Sequence, residues 1–303
     1  MIPLIAAPMA GVTDKPFRQM IRHFGLHTLY TEMIAVESLR RNHPATRKMM
    51  DIWDEENIII QFVGINQDSF IAALPLAEEV GAVGIDINMG CPVKKLISNG
   101  SGSALLKTPD VAARLVEAVK KNTRLPVSVK MRIGWDTEHI NGVSFAKTLE
   151  SAGADKIMVH ARTKSEGYAG IPHYDTVSEI KENLHIPVFV NGNITDLKSL
   201  KNALDITGAD GALIGRGLLG KPWLLSEIET GKKPIFNLAD IALQHFELLM
   251  NYYGKHGLFI ARKHLAWYMK GQKNVAEFCQ RVYAEENADK VRQLIQQYLG
   301  GNA

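Results

Sequence analysis

Cysteine is scarce in this sequence, which has two cysteines, Cys91 and Cys279, among 303 residues. This number and spacing fit neither a disulfide framework nor a metal site, so we expect no structural metal and a reducing, cytoplasmic environment. No run of about 18 apolar residues occurs, which argues against a membrane-spanning helix. The first residues, MIPLIAAPMAG, lack the positively charged region of a signal peptide. A formal charge of +3 is too small to indicate a nucleic-acid partner by itself.

The chain does contain a repeated pattern of amphipathic helix, glycine and short apolar run. Three segments show it: LAEEVGAVGIDIN, LESAGADKIMVH and ALDITGADGALIG, at 76–88, 149–160 and 203–215. Gly81, Gly153 and Gly208 are expected to end these helices, because glycine takes the left-handed conformation at little steric cost. Two other segments, 123–132 and 184–193, place Val-rich runs after a proline, as in strands covered on both faces.

With three earlier apolar runs, Leu4–Ala7, Thr28–Glu32 and Ile58–Val63, the pattern gives eight expected strands. Eight βα units over about 220 residues predict a (β/α)8 TIM barrel, whose chemistry would lie where the strands end. An open, doubly wound parallel sheet is the alternative. Helical periodicity replaces the βα pattern near the end of the chain. We therefore expect a barrel domain over residues 1–233 and an all-α helical bundle over 234–303.

Polar residues recur at the ends of the expected strands. In a closed barrel these strand ends would form a ring of polar residues. A barrel with a purely structural role needs no such ring, and burying these polar groups without hydrogen-bond partners would be costly. They are Glu32, Gln61, Asn88, Cys91, Lys130, Arg132, His160, Arg162, Asn191, Asn193 and Arg216. The ring therefore indicates a functional site at one end of the barrel.

Residues 215–220, GRGLLG, formally match the dinucleotide fingerprint G-x-G-x-x-G. That fingerprint belongs in the first βα unit of a nucleotide-binding sheet, whereas here it follows the last expected strand. The loops after strands seven and eight of a barrel commonly bind phosphate through backbone N–H groups. Asn191-Gly192-Asn193 and Gly215-Arg216 are therefore interpreted as a paired phosphate site. Glycines that serve only tight turns are the alternative for either loop.

Three side chains at the expected barrel mouth suit a bound ligand. Lys130 needs a charged partner or a bound anion, because a lysine inside a barrel mouth is seldom structural. The amide of Gln61 suits the edge of a heterocycle, although it could simply satisfy hydrogen bonds. His160 fits a satisfied core residue as well as a functional one.

Cys91 lies in NMGCP, just past an expected strand, before a loose Gly- and Ser-rich loop over 98–103. A free cysteine commonly acts as a small buried hydrophobe, which is the structural alternative. Its position on a loop at the barrel mouth favours chemistry instead. With an ordinary pKa of about 8.5 the thiol would be mostly protonated, and no histidine lies nearby in sequence, so proton donation competes with nucleophilic attack.

The helical region contains a basic segment, 255–273, without an acidic residue. The segment includes Arg262, and Lys263, Trp267 and Lys270 fall on one helix face, with Tyr268 and His264 beside it. A basic face with an aromatic residue suits a phosphate-rich polymer. A solvated charged face with Trp267 turned into the core is the alternative.

Together, the order and spacing of APMAGVTD, NMGCP, VKMR, His-Ala-Arg, NGNI, GRG and ARKHLAWY resemble the tRNA-dihydrouridine synthases, in particular their bacterial branch. The resemblance implies an FMN-binding TIM barrel, a helical domain that binds tRNA, and NADPH as reductant. It also implies that specific uridines of tRNA are reduced at the C5–C6 bond. We expect a monomer. The loop HARTKSEGYAG differs among subgroups, which leaves the modified position open.

The resemblance also assigns roles to individual residues. The catalytic acid would be Cys91, which protonates C5 while hydride reaches C6. FMN would be bound by Ala7, Pro8, Met9, Gln61, Lys130, His160, Asn191, Gly192, Asn193, Gly215 and Arg216. Substrate would be bound by Asn88, Arg132 and Arg162 at the uracil and by Arg262, Lys263 and Lys270 in the tail. The rivals are a flavin barrel acting on a free pyrimidine, such as a dihydroorotate or dihydropyrimidine dehydrogenase, and a non-catalytic RNA-binding barrel.

Overall fold

Eight parallel strands form a closed barrel in the computed structural model, which describes residues 2–25 and 27–300. Each strand pairs with the next along the chain, and the first pairs with the eighth. The strands are β1 (Leu4–Ala6), β2 (Thr28–Ala35), β3 (Ile58–Val63), β4 (Gly84–Met89), β5 (Val127–Gly134), β6 (Lys156–Thr163), β7 (Val188–Asn191) and β8 (Gly211–Ile214). The predicted TIM barrel is confirmed, and the open sheet is excluded.

Helices alternate with these strands and then continue alone to the end of the described chain. They are α1 (Lys15–Arg22), α2 (Val36–Arg40), α3 (Pro44–Lys48), α4 (Gln67–Glu79), α5 (Lys94–Ser98), α6 (Pro109–Lys121), α7 (Gly142–Ser151), α8 (Tyr174–Glu182), α9 (Leu197–Thr207), α10 (Leu224–Thr230), α11 (Leu238–Tyr253), α12 (Lys255–Tyr268), α13 (Val275–Ala284) and α14 (Ala288–Leu299). Two short 3-10 helices cover Gly102–Lys107 and Arg216–Leu218. Within the described ranges, no helix is both long enough and apolar enough to cross a membrane.

The described residues divide into two compact units. The barrel unit comprises residues 2–15 and 27–215, and the helical unit comprises residues 16–25 and 216–300. Helix α10 and nearly all of α1 therefore group with the helical unit, although their sequence positions lie within the expected barrel domain. The assignment of FMN binding to residues 1–233 and tRNA binding to 234–303 stays a prediction.

The helix ends follow the glycine pattern of the sequence. Gly81, Gly153 and Gly208 have φ values of 86°, 97° and 60°, so the three predicted helix stops are confirmed. Two strands are longer than expected, because β2 continues to Ala35 after a register shift and β5 continues to Gly134.

The barrel interior is apolar in one layer and polar in the next. One apolar cluster of the barrel unit contains Ile5, Ala7, Tyr30, Met158, Phe189 and Leu213. Side chains alternate between the two faces of a strand, so each second residue toward the carboxyl end enters the barrel. On β4 and β5 these residues are polar, with Asp86 paired in register to Ser128 and Asn88 to Lys130. The polar layer therefore forms on the face where barrel enzymes carry their sites.

The helical unit has its own hydrophobic core, which includes Phe246, Leu265 and Phe278. One residue, Gly254, with a φ of 59°, separates α11 from α12, which begins directly after it. Gly257 lies on the buried side of α12, where helix packing accommodates a residue without a side chain.

Candidate active site

A chain of hydrogen bonds crosses the polar layer and ends at Cys91. Gln61 Nε2 donates to Asp86 Oδ2 at 2.6 Å, and Asn88 Nδ2 donates to Gln61 Oε1 at 2.9 Å. Asn88 Oδ1 in turn accepts from the backbone N–H of Gly90 at 3.2 Å and of Cys91 at 2.9 Å. The residues come from β3, β4 and the loop after β4, so adjacent strands of the barrel bring them together.

Asp86 and Lys130 place one acid and one base inside this layer. Burial raises the pKa of Asp86 to about 7, although hydrogen bonds from Ser128 and Gln61 and the charge of Lys130 oppose the shift. Burial likewise lowers the pKa of Lys130 to about 8, with Arg132 acting in the same direction. Lys130 Nζ donates to Asn191 Oδ1 at 3.2 Å. A cation held in this way is suited to an anionic or electron-rich ligand edge.

Cys91 is held by its backbone on both sides. Beyond the bond to Asn88, its carbonyl accepts from the Ser103 N–H at 3.1 Å. Gly102 has a φ of 60°, and a Cβ there would lie 2.8 Å from the Cys91 carbonyl oxygen, so this close approach requires glycine. Burial raises the pKa of the Cys91 thiol, although Arg132 and Lys130 act against it. The thiol is therefore favoured over the thiolate at neutral pH.

The segment after Cys91 is more regular than the loose loop expected from its Gly and Ser content. It contains α5 and the 3-10 helix Gly102–Lys107, with Ser101 and Ser103 buried. The hydrogen bond from Ser101 Oγ to the Leu96 carbonyl, 3.0 Å long, joins the two helical pieces. The Ser101 side chain therefore supplies an internal hydrogen bond, whereas the buried Ser103 hydroxyl has no partner among the described residues.

Arg132 is buried, and two of its three nitrogens bind backbone carbonyls. Its Nε donates to Gly90 O at 2.8 Å, and its Nη1 donates to Thr163 O and Gly167 O, both at 2.8 Å. Arg132 therefore joins the loop that carries Cys91 to the loop after β6.

Arg162 is also buried. It binds the later part of the loop that follows β6, residues 164–173, which we call the β6 loop. Its Nε donates to Ala169 O at 2.6 Å, and its Nη2 donates to Gly170 O at 2.6 Å and to Asn193 Oδ1 at 3.0 Å. Like Arg132, it lies at the predicted site while anchoring the β6 loop, and the predicted contact of either arginine with a uracil stays a prediction.

The β6 loop presents an aromatic side chain beside these arginines. Tyr168 is exposed, its ring centroid lies 6.0 Å from that of His160, and the Arg132 guanidinium lies 5.7 Å from the ring centroid. Glu166 accepts from Thr163 Oγ1 at 2.8 Å and pairs with His173 at 2.7 Å. The loop is thus bonded internally as well as to the barrel.

The predicted phosphate loops follow β7 and β8. Gly192 and Asn193 both have positive φ, at 152° and 48°, and Tyr174 donates to the Gly192 carbonyl at 2.6 Å. A Cβ at Gly215 would lie 3.7 Å from both Ala7 Cβ and Met9 Sδ, so the end of β8 lies beside the start of the chain.

Other predicted residues lie around the first strand and at the start of the helical unit. Ala7 N–H donates to the Ile214 carbonyl at 2.8 Å, and Glu32 accepts from the Gly11 N–H. Arg216 begins the 3-10 helix that opens the helical unit, and its predicted phosphate contact stays a prediction.

In the helical unit the predicted tRNA residues differ in exposure. Lys270 is exposed and Lys263 is partly exposed. Arg262 Nη2 donates to the Glu285 carbonyl at 3.0 Å, at the end of α13. The ring centroid of Trp267 lies 5.0 Å from that of buried His264. Arg262 therefore has a structural bond that the basic pattern did not reveal.

Sequence reasoning missed Asp86 and Ser128. Ser128 Oγ donates to Asp86 Oδ1 at 2.6 Å, and both side chains are buried. The signal was an acid between two isoleucines in GIDIN, two residues before Asn88 and so on the same face of the strand.

Across the described ranges, no group of three or more His, Cys, Asp or Glu side chains could hold a metal ion.

Comparison with known proteins identifies the family of this chain. The profile of the family described as "Dihydrouridine synthase (Dus)" matches residues 4–299. A "Probable tRNA-dihydrouridine synthase" of Rickettsia conorii is 40% identical over 288 residues, covering 91% of this chain and 86% of that protein. "tRNA-dihydrouridine synthase B" of Pseudomonas syringae pv. tomato is 40% identical over 285 residues, covering 91% of this chain and 85% of that protein.

Among solved structures, histamine dehydrogenase from Rhizobium sp. 4-9 has a TM-score of 0.59 at 14% identity, covering 85% of this chain and 48% of that one. At that identity the likeness supports the fold alone. The family profile and the relatives match nearly the whole chain, and 40% identity over 91% of it shows that the chain and these relatives are members of one family. The chain belongs to the dihydrouridine synthase family.

Proposed function

We propose that this protein is an FMN-dependent tRNA-dihydrouridine synthase that reduces the C5–C6 double bond of uridines in tRNA. The observation that carries the proposal is the hydrogen-bonded arrangement of Gln61, Asn88 and Cys91 beside Lys130 at the carboxyl end of the barrel. It offers a proton donor, amide groups for a pyrimidine edge and a buried cation. The printed names of the Rickettsia and Pseudomonas relatives support tRNA as the substrate.

The residues present fit FMN. The Lys130 ammonium and the Gln61 amide would meet the polar edge of its ring system, and Asn191 orients Lys130 through the 3.2 Å bond. The positive φ values at Gly192 and Asn193 are typical of turns whose N–H groups converge on a phosphate. When bound and reduced, FMN supplies the hydride that adds to C6 of uracil. The FMN contacts of Ala7, Pro8, Met9, His160, Gly215 and Arg216 are proposed on the family resemblance.

The protein side chains would supply the rest of the reaction. Cys91 would donate its proton to C5, a role favoured by the burial that raises the pKa of its thiol. A positioned general acid typically contributes about 10²- to 10⁴-fold to a rate. Asn88 fixes the Cys91 backbone through its Oδ1 and, with Arg132 and Arg162, would orient the uracil. The base has to leave its stack in the RNA to reach this mouth.

The remaining assignments rest on the family resemblance and on the chemistry of the tail. NADPH is proposed as the source of electrons, and a cytoplasmic monomer as the working form. Lys263 and Lys270 are proposed to contact RNA phosphates, which would make affinity fall as salt rises. Arg262 is the weaker candidate, because its guanidinium already binds the Glu285 carbonyl.

The test compares Cys91→Ala with a matched Cys279→Ala variant, since both cysteines are free and half-buried. Cys91→Ala should retain bound FMN, measured by absorbance, but lose about 10²-fold or more of dihydrouridine formation, measured by mass spectrometry of tRNA. Cys279→Ala should keep both properties. Unchanged turnover of Cys91→Ala would refute the proton-donor role. Protein that binds no FMN, or that reduces free uracil in place of tRNA, would refute the proposed function.

A further inference from the structure

The hydrogen-bond chain in the polar layer has a direction, and Asp86 lies at its start. An ionised carboxylate only accepts hydrogen bonds, whereas an amide side chain offers an oxygen at one end and an NH2 at the other. With Asp86 ionised, the 2.6 Å contact requires Gln61 to turn its NH2 toward Asp86. Gln61 then turns its oxygen toward Asn88, and Asn88 must donate a hydrogen bond to that oxygen from its own NH2 group.

The same logic reaches the backbone of Cys91. Once the Asn88 NH2 faces Gln61, its oxygen is left to accept from the N–H groups of Gly90 and Cys91. If Asn88 were reversed, an NH2 group would face two N–H donors, and neither bond could form. Amide orientations of this kind follow from the whole network, so two sets of groups decide them together: the ionised Asp86 carboxylate, which only accepts, and the Gly90 and Cys91 N–H groups, which only donate.

We propose that Asp86 is a positioning residue whose carboxylate orients the amides of Gln61 and Asn88 and thereby fixes the backbone that carries Cys91. This inference depends on the proposed function only in taking Cys91 as the reacting residue. Asp86 is fully buried and contacts Gln61 and Ser128, so it acts through its neighbours.

The groups around Asp86 make the orientation sensitive to pH. Ser128 and Lys130 face it from β5, Gln61 from β3, and buried Tyr30 from β2. Burial raises the pKa of Asp86 to about 7. Below that pH the protonated carboxyl group can donate to the Gln61 oxygen, which permits both amides to reverse. The bonds to the Gly90 and Cys91 N–H groups should therefore weaken as the pH falls through 7.

The test measures hydrogen exchange at the Gly90 and Cys91 amides in the full-length protein, corrected for intrinsic rates, between pH 6 and 8. The wild-type protein should show at least about tenfold higher protection at pH 8 than at pH 6. Asp86→Asn should remove that pH dependence, because an amide does not titrate in this range. Asp86→Ala should lower protection at pH 8 by about tenfold, since the chain loses the acceptor at one of its two ends and keeps only the backbone donors at the other.

Ser128→Ala is the control, because it removes a bond to Asp86 Oδ1 but leaves the bond from Gln61 to Oδ2. It should preserve the pH-dependent protection, whereas a role limited to stability would give similar losses in all variants. Persistent pH dependence in Asp86→Asn, or wild-type protection in Asp86→Ala, would overturn the proposal. Exchange requires neither flavin nor tRNA, so a protein that binds no FMN, or that reduces free uracil in place of tRNA, would refute the proposed function and leave this result standing.

Discussion

Replacing Arg162 by lysine should release the β6 loop while leaving a positive charge in place. Arg162 is 1% exposed and donates to three oxygen acceptors, at 2.6 Å to Ala169 O, 2.6 Å to Gly170 O and 3.0 Å to Asn193 Oδ1, and its Nη1 also lies 3.5 Å from His160 Nε2. These acceptors lie around the planar guanidinium in directions that a single ammonium group cannot reproduce. Lysine should retain one of the three bonds.

The size of the effect follows from the two bonds lost. Hydrogen bonds that involve a charged group contribute about 1.5–3 kcal/mol each, so the loop should lose about 3 kcal/mol of local stability. Because about 1.4 kcal/mol corresponds to a factor of ten, protected amides in the loop should exchange about 100-fold faster. Suitable reporters are the Gly167 N–H, bonded to Lys164 O at 3.2 Å, and the Ala169 N–H, bonded to Glu166 O at 3.0 Å.

Hydrogen exchange resolved by mass spectrometry provides the measurement, and Lys164→Ala provides the control on the same loop. The Lys164 ammonium lies 4.3 Å from the centroid of the Trp135 ring, and both residues are half-buried, so the contact is worth about 1 kcal/mol. Its loss should accelerate exchange by less than about tenfold. If Arg162→Lys changes exchange no more than Lys164→Ala does, the guanidinium does not anchor the loop, and the reasoning fails.

Two further predictions concern the helical unit. Burial lowers the pKa of His245 from its ordinary 6.5 to about 3, so the stability gained from its neutral form is present above pH 6.5 and is lost as pH falls toward 3. His245→Gln should make the fall in unfolding free energy between pH 7 and pH 5, measured with urea, smaller by about 2 kcal/mol. Arg262→Ala should lower the unfolding free energy by about 1–3 kcal/mol through loss of its bond to Glu285, while exposed Lys270→Ala should change it by less than about 0.5 kcal/mol. Equal stability of the last two variants would contradict the structural role of Arg262.

The sequence predicts the strands well because a closed parallel barrel repeats the same physical requirement eight times. Each strand is covered on both faces, so its apolar run stands out between helix stops such as Gly153 and Gly208. Strand ends are less certain from sequence, because pairing with a neighbour can extend a strand through polar residues. Thr163, at the end of β6, is paired with Gly134 beyond a register shift in β5, which no local pattern indicates.

The sequence predicts which residues form the candidate site better than it predicts which hydrogen bonds those residues make. Polar side chains at strand ends identify Lys130, Asn88 and Cys91, yet nothing in the sequence says that Arg132 binds the Gly90 and Gly167 carbonyls. Those bonds depend on the paths of two loops in the folded barrel, and no local sequence pattern indicates these paths. Asp86 was missed for a related reason, since its importance comes from its neighbours on β3 and β5.

The backbone that carries the Cys91 thiol is held by three hydrogen bonds on one short loop. Asn88 binds its N–H, Ser103 binds its carbonyl, and Arg132 holds the preceding residue through Gly90 O. The same arginine binds Gly167, so a change in the β6 loop reaches Cys91 through one rigid side chain. A proton donor must lie within hydrogen-bond distance of the atom it protonates, and an error of about 1 Å can cost about 10²-fold in rate. The two loops therefore form one unit at the barrel mouth, and the buried arginines contribute to its geometry even before any contact with substrate.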